Sequence, residues 1–277
     1  MTERFARERL RHELKRRRIR VLRTESVAPG LARITFGGED LEGFAAPGPG
    51  DHVKVFFPDP ASGELTLPDF SSGRPRVPEG GGEVIVRDYT PYAFRPDAAS
   101  GPELDIDFVL HGDNGPASAW AARASAGDEL AIGGPRGSLL PPTGIDGAVI
   151  VADESALPAA ARWLDALGDT RTIGLFSVED PGTAAYLAGR ERTTRKLHWF
   201  SGADRDSALA EALRGLAISE GALVFLAGEA NALIPLRRYL RRELGLPKEQ
   251  VEAHGYWKRG IIALDHHAPL DPSDPES

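Results

Sequence analysis

The sequence predicts a two-domain protein of the β plus α/β class: an antiparallel β-barrel followed by a parallel-sheet, three-layer α/β domain. Three observations predict it. From about Ile19 to Leu140, short β-rich apolar segments are separated by clusters of Gly, Pro and Asp, the pattern of an antiparallel barrel. From Gly147 onward, strand-like and helix-like segments alternate, which implies parallel pairing through crossover helices. Between them lies "PPTGIDG", residues 141–147, a turn-rich join.

The elements follow in order. Residues 1–18 carry Phe5, Leu10 and Leu14 on what would be one side of a basic helix. The barrel domain, 19–143, reads as six strands: "IRVLRTESVA", "LARITF", "HVKVFFP", "EVIVRDYT", "ELDIDFVLHG" and "DELAIGG". The segment "PDFSSGRPRVPEGGG" reads as a surface loop. The α/β domain, 144–264, runs "AVIVAD", "SALPAAARWLDALG", "TIGLFSV", a short helix, "KLHWF", "DSALAEALRGLA", "ALVFLAG", "EANALIPLRRYLRREL" and "VEAHGYW". Pro235 lies inside the last of these helices, where a missing N–H should kink or break it. Residues 265–277, polar and proline-punctuated, read as a disordered tail.

Composition removes whole classes of chemistry. The 277 residues include no cysteine, so disulfides, thiolate nucleophiles, cysteine-ligated clusters and cysteine-bound zinc are excluded, and any redox chemistry must ride on a bound cofactor. The seven histidines lack the H-E-x-x-H spacing of a helical metal site, so none is expected to hold a metal. Residues 1–24 hold ten Lys/Arg against three Glu (+7), leaving 23 against 38 (−15) on the remainder. A solvated helix face accounts for this arm, and no nucleic-acid partner is expected. No apolar run approaches the roughly 20 residues of a membrane span, and residues 1–18 lack a signal-peptide core, so a cytoplasmic location without membrane insertion is expected.

Five motifs could carry chemistry. In "RDYT", Arg87 offers a fork of donors for a phosphate, Tyr89 a face for a planar ring and Thr90 a hydroxyl; in a strand the first two point one way and Thr90 the other. The same residues equally suit an exposed strand face. In "HGDNGPASAW", from His111 to Trp120, Gly115 and Pro116 open a helix whose first amides, at Ala117 and Ser118, could seat a pyrophosphate or simply end a turn. "GGPRG" presents Arg136 on a tight turn. "VADESALPA" places Asp153, Glu154 and Ser155 at the end of the first parallel strand, where open α/β sheets bind ligands; a plain helix cap fits as well. "GYWKRG" sets Tyr256 and Trp257 before Lys258 and Arg259, a lid over a planar or anionic ligand or a core aromatic beside solvated cations. Neither G-x-G-x-x-G nor a Walker A loop occurs.

Together and in this order, from "RITFGGEDLEGF" and "DHVKVFFP" through "RDYT", "DFVLHGDNGPASAW", "GGPRG", "DESALPA" and "AGE" to "RRYLRREL" and "GYWKRG", the chain resembles the siderophore-interacting protein family, a branch of the ferredoxin-reductase-like flavoproteins. The resemblance implies a barrel that binds FAD and an α/β domain that receives NADH or NADPH as co-substrate. It places Arg87, Tyr89, Thr90, His111, Gly115, Pro116, Ala117 and Ser118 at the flavin and its phosphates. Asp153, Glu154, Ser155, Tyr256 and Trp257 would lie beside the nucleotides, and Lys54, Arg136 and Lys258 would receive an anionic ferric siderophore. No covalent catalytic residue is implied, and reduced ferredoxin stands as a further electron-donor partner. One position departs from the pattern: the family's R-x-Y-T-x-R ends here in Tyr92, with Arg95 as the nearest substitute.

Overall fold

Exposed Arg16, Arg18 and Arg20 alternate with buried Arg17, Ile19 and Val21, a period of two, and this arginine-rich stretch forms a strand. In the computed structural model, which describes residues 4–69, 76–77, 82–112, 115–264 and 268–274, β1 spans Arg9–Arg11 and β2 spans Arg16–Ala28. This corrects the helix expected over residues 1–18. Phe5, Leu10 and Leu14 are only half-buried, too little to anchor a helix face, and Leu10 instead pairs with Ser138 in a ladder. The chain divides into two units: Arg9–Leu139, and the residues from Leu140 together with those up to Glu8.

The first unit continues with β3 (Leu31–Gly37), β4 (Val53–Phe57), β5 (Ile85–Tyr89), β6 (Pro91–Arg95), β7 (Glu103–Val109), α1 (Pro116–Ala121), β8 (Glu129–Gly133) and β9 (Gly137–Leu139). Strands β2 to β8 form one antiparallel seven-strand sheet in the order β5-β4-β8-β2-β3-β7-β6, while β1 pairs with β9. The two edge strands, β5 and β6, are separated in the chain by Thr90 alone, so the sheet must roll until its edges meet there. Closure is by the chain rather than by a hydrogen-bonded ladder. Inside the roll pack Ile19, Phe36, Val55, Phe57, Ile106, Phe108 and Ile132, all 2% exposed or less, each contributing about 1.5–3 kcal/mol on burial. Of the segment expected as a loop, only Pro68, Asp69, Arg76, Val77 and Gly82 lie within the described residues, and Asp69 and Arg76 form a bridge.

The outward side of β2, β3, β6 and β7 carries a charge ladder. Arg95 donates to Asp105 (2.6 and 2.7 Å) and Glu103 (2.9 and 3.2 Å), Arg23 also grips Glu103 (2.8 and 3.0 Å), and Thr35 donates to Asp105 at 2.7 Å. Hydrogen bonds from Arg23 and then Arg95 hold the Glu103 carboxyl down to about 2. A depressed acid contributes stability that is complete above its ordinary value of 4.5 and is lost as pH falls toward 2. Glu103→Gln is therefore expected to flatten the decline of Tm between these limits, as read by thermal melts across pH; a decline parallel to wild type would remove Glu103 from the acid response.

The second unit holds β10 (Gly147–Asp153), α2 (Leu157–Ala166), β11 (Arg171–Ser177), a 3-10 segment Pro181–Leu187, β12 (Arg195–Phe200), α3 (Arg205–Arg214), β13 (Ala222–Glu229), α4 (Ala230–Arg238) and β14 (Val251–Trp257). All five strands are parallel, in the order β12-β11-β10-β13-β14. The apolar runs of the three central strands, β11, β10 and β13, are buried on both faces, as a parallel sheet requires, while the edge strands β12 and β14 are partly exposed. Val149, Val151, Val224 and Leu226 pack with Leu209 and Leu213 of α3 and Leu233 and Leu236 of α4. On the other face, Trp163 of α2 meets Phe225 at 5.4 Å.

Two expectations are revised here. Pro235 does not break α4, which runs on to Arg238 and a π-helical turn, Tyr239–Glu243. The carbonyl left without that N–H belongs to Asn231 one turn earlier, and both residues are exposed, so its loss does not leave a buried unpaired group. The expected tail is ordered over 268–274: Arg238 grips Asp271 at 2.7 Å, Arg242 pairs with Asp274, and Leu270 packs on the core, while 265–267 and 275–277 lie outside the described residues. Among the described residues no helix is long and apolar enough to cross a membrane.

Candidate functional site

In the first unit the register sets Arg87 opposite Val55 and Tyr89 opposite Val53, so both side chains share the inward parity of β4 while Thr90 occupies the corner to β6. Tyr89 lies 4.5 Å from Phe108 and 6.1 Å from Phe57, and Trp120 of α1 packs on those same rings at 6.1 and 5.8 Å. One aromatic cluster thus carries both "RDYT" and "GPASAW". Burial drives the Tyr89 hydroxyl above the ordinary phenol range, so it remains a donor. Arg87 is half-buried, and among the described residues its guanidinium meets the Val86 carbonyl at 2.7 Å and no carboxylate. A half-buried cation without an acid is suited to an anionic ligand.

Helix α1 begins at Pro116 with Gly115 as its cap residue in extended conformation, and among the described residues no side chain caps it. Ser118 turns back into the loop, donating to the Gly112 carbonyl and accepting from the His111 amide, both at 3.0 Å, which fixes the approach to the helix. Asp113 and Asn114 lie outside the described residues. An uncapped first turn, an arginine without an acid and an aromatic wall fit the phosphates and ring of a flavin nucleotide. A cleft of about 510 Å³ also opens on this unit, lined by Arg18, Leu65, Trp120, Arg123 and Leu130, toward the other end of α1.

Tyr92, at a bulge in the β6–β7 register, receives the Arg33 guanidinium at 3.6 Å over its ring, and Arg33 in turn grips Asp107 with two bonds of 2.7 Å. The cation at this point comes from β3 rather than from β6, and Arg95 is held by Glu103 and Asp105. Lys54 stands opposite Asp88 and pairs with it at 3.0 Å; it also lies opposite Gly133, which opens the turn carrying exposed Arg136. Neither Arg33 nor the Asp88 partnership was visible in the motifs, because both are cross-strand relations.

In the second unit the strand order reverses between β10 and β13, the place where open α/β sheets bind ligands. There the Asp153 carboxylate accepts from Ser155 N (2.9 Å), Ser155 Oγ (2.5 Å), Glu229 N (2.8 Å) and Trp257 Nε1 (2.8 Å). Burial raises its pKa against the pull of these bonds, and burial likewise raises that of Glu154, which accepts from the Glu179 amide. Glu229 caps α4 through Ala232 N (2.8 Å) and accepts from Arg259 N (3.0 Å). Tyr256 is half-buried, Trp257 is 41% exposed, and among the described residues Lys258 meets no carboxylate at ion-pair distance. Lys258 belongs to this unit, Lys54 and Arg136 to the other. Among the described residues no cluster of three metal-ligating side chains forms.

A rolled antiparallel sheet followed by a five-strand parallel sheet packed with helices defines a ferredoxin-reductase-like two-domain fold. Residues 20–139 match the siderophore-interacting FAD-binding domain and residues 145–260 the siderophore-interacting protein domain, and the chain belongs to the siderophore-interacting protein family. It is 34% identical to ferric vibriobactin reductase of Vibrio cholerae over 89% of this chain and 90% of that one. It is also 34% identical to the NADPH-dependent ferric-chelate reductase of Escherichia coli, over 90% and 96% of the two chains. A siderophore utilization protein from T. fusca superposes with a TM-score of 0.82 at 37% identity, covering 95% of this chain and 100% of that one.

Proposed function

We propose that the chain is a cytoplasmic, FAD-dependent ferric-siderophore reductase that takes electrons from NADH or NADPH and releases iron by reducing Fe(III) to Fe(II). Two reductases of ferric chelates, each 34% identical over almost the whole chain, support the reading. The single structural observation that carries it is Arg87, a half-buried cation without a carboxylate among the described residues, two positions before Tyr89, whose ring shares an aromatic cluster with Trp120 of the uncapped helix α1. Hard oxygen ligands hold Fe(III) far more tightly than Fe(II), so one electron is itself the release step. Bound FAD supplies the conversion between a two-electron donor and a one-electron acceptor. The chain's part is to orient and attract: Arg87 and the α1 amides hold phosphate, Tyr89 and Thr90 face the ring, and Lys54, Arg136 and Lys258 receive the anionic chelate.

Because Lys54 spends its charge on Asp88, Arg136→Ala is expected to raise the KM for an anionic ferric siderophore more than Lys54→Ala does, roughly two- to fivefold against less than twofold. Steady-state kinetics with FAD bound checks the order, and the reverse order would reject this division of labour.

The anaerobic visible spectrum tests the whole reading. Flavin bands that bleach with NADH or NADPH and return on adding a ferric siderophore are the expected result. Bleaching only with reduced ferredoxin would name another donor, return of the bands with any acceptor would indicate a general flavin reductase, and bands that never bleach beside tight chelate binding would make this a binding protein.

A further inference from the structure

One bond to Asp153 and one bond to Glu229 come from the same turn. Trp257, which ends β14, gives its indole N–H to Asp153 of β10 (2.8 Å), and two residues on, the Arg259 amide goes to Glu229 of β13 (3.0 Å). Lys258 lies between these tethers, and its carbonyl accepts from Ile261 N at 3.0 Å across Gly260, whose φ is +80°. The approach of Asp153 to β13 is possible only because residue 228 is glycine: a Cβ there would sit 2.6 Å from the carboxyl carbon, and φ is +143°. Both carboxylates thus accept from neighbouring donors, and among the described residues neither stands at ion-pair distance from Lys258.

We infer that Asp153 and Glu229 are positioning residues that clamp the Trp257–Gly260 turn and hold Lys258 where it meets an anionic ferric chelate. The inference rests on the reading of Lys258 as a chelate receiver. It moves Asp153 from direct nucleotide contact to the acceptor side of the reaction, and it unites "DES", "AGE" and "GYWKRG" in one device. A carboxylate in the switch-point crevice repels a nucleotide phosphate, yet it is well suited to hold an indole N–H and three further donors.

The test uses the FAD-loaded full chain, an anionic tris-catecholate ferric complex as acceptor, and the variants Asp153→Asn, Trp257→Phe and Lys258→Ala. In ¹⁵N-labelled protein, Trp257→Phe identifies the Trp257 indole resonance, and Asp153→Asn is expected to shift it. Asp153→Asn should raise the KM for the ferric complex roughly two- to fivefold with FAD retained, the range for one partly exposed charge. In the Lys258→Ala background it should raise it no further, since it acts through Lys258. An unmoved resonance, effects that multiply, or a rise in the nicotinamide KM in place of the chelate KM would overturn the clamp. If Lys258→Ala alone leaves the chelate KM unchanged, the receiver reading itself fails, a result separable from failure of the clamp. Should Asp153→Asn not fold, Trp257→Phe, which removes only the indole donor, carries the same kinetic comparison.

Discussion

Arg87→Ala is expected to weaken FAD binding by about 1.5–3 kcal/mol, roughly ten- to 150-fold in Kd, the range for hydrogen bonds to a charged partner. The size follows from the residue's surroundings. Arg33, Arg95 and Lys54 each face an acid, so removing any one of them leaves a carboxylate and little change in phosphate affinity. Arg87 has only the Val86 carbonyl among the described residues, and half-burial keeps its attraction from being screened as it would be on the surface. Titration of the apoprotein with FAD, followed by quenching of flavin fluorescence, gives the number. Arg87→Lys, which keeps the charge but not the planar fork, should fall between wild type and the alanine variant. A Kd for Arg87→Ala equal to that of wild type would remove this residue from the cofactor site.

Gly228→Ala is expected to be the most damaging small substitution in the second unit. Two costs combine: a φ of +143° that side-chain-bearing residues rarely adopt, and a methyl group 2.6 Å from the Asp153 carboxyl carbon. Relief requires displacement of Asp153, which breaks its bonds to the Glu229 amide and to Trp257 and leaves a buried carboxylate short of donors. A loss of about 3 kcal/mol or more follows, a fall in Tm of roughly 6–12 °C. Differential scanning calorimetry measures it. A melting curve like that of wild type would mean that Asp153 does not rest against this glycine. Gly43, where an added Cβ meets nothing within 4 Å, makes the comparison: Gly43→Ala carries the positive-φ strain (φ +68°) without the clash.

Much of the architecture is legible in the sequence because it is written in local periodicity. The six expected barrel strands all form, and each α/β segment takes its expected place, since alternation, apolar runs and Gly/Pro punctuation act within a few residues. What escapes is short or non-local. Strand β6 starts at Pro91, which has no ladder N–H to give, and "PYAFR" is not among the six strands the sequence suggests; β1 and β9 have three residues each and exist only because they meet. The N-terminal arm fails as a helix because apolar spacing alone does not reveal that Arg7 will find Trp163 and Glu252 far along the chain. The site shows the same division. The motifs name residue types suited to a nucleotide site, but the bond from Trp257 to Asp153 spans 104 positions, and the cation over Tyr92 comes from Arg33 two strands away. Such partners are products of topology and register, which a linear reading does not contain.

The corner at Thr90 reaches beyond ligand binding. An open sheet of seven strands offers two rows of backbone donors and acceptors on which a strand from another molecule can grow, and most proteins must blunt them with charge, bulges or cover. Here both edges belong to consecutive strands, β5 and β6, and the roll turns them toward each other at Thr90, with Pro91 heading one of them. Thr90, the last residue of "RDYT", therefore also draws the two edges of the sheet together, which works against their pairing with a strand from another molecule.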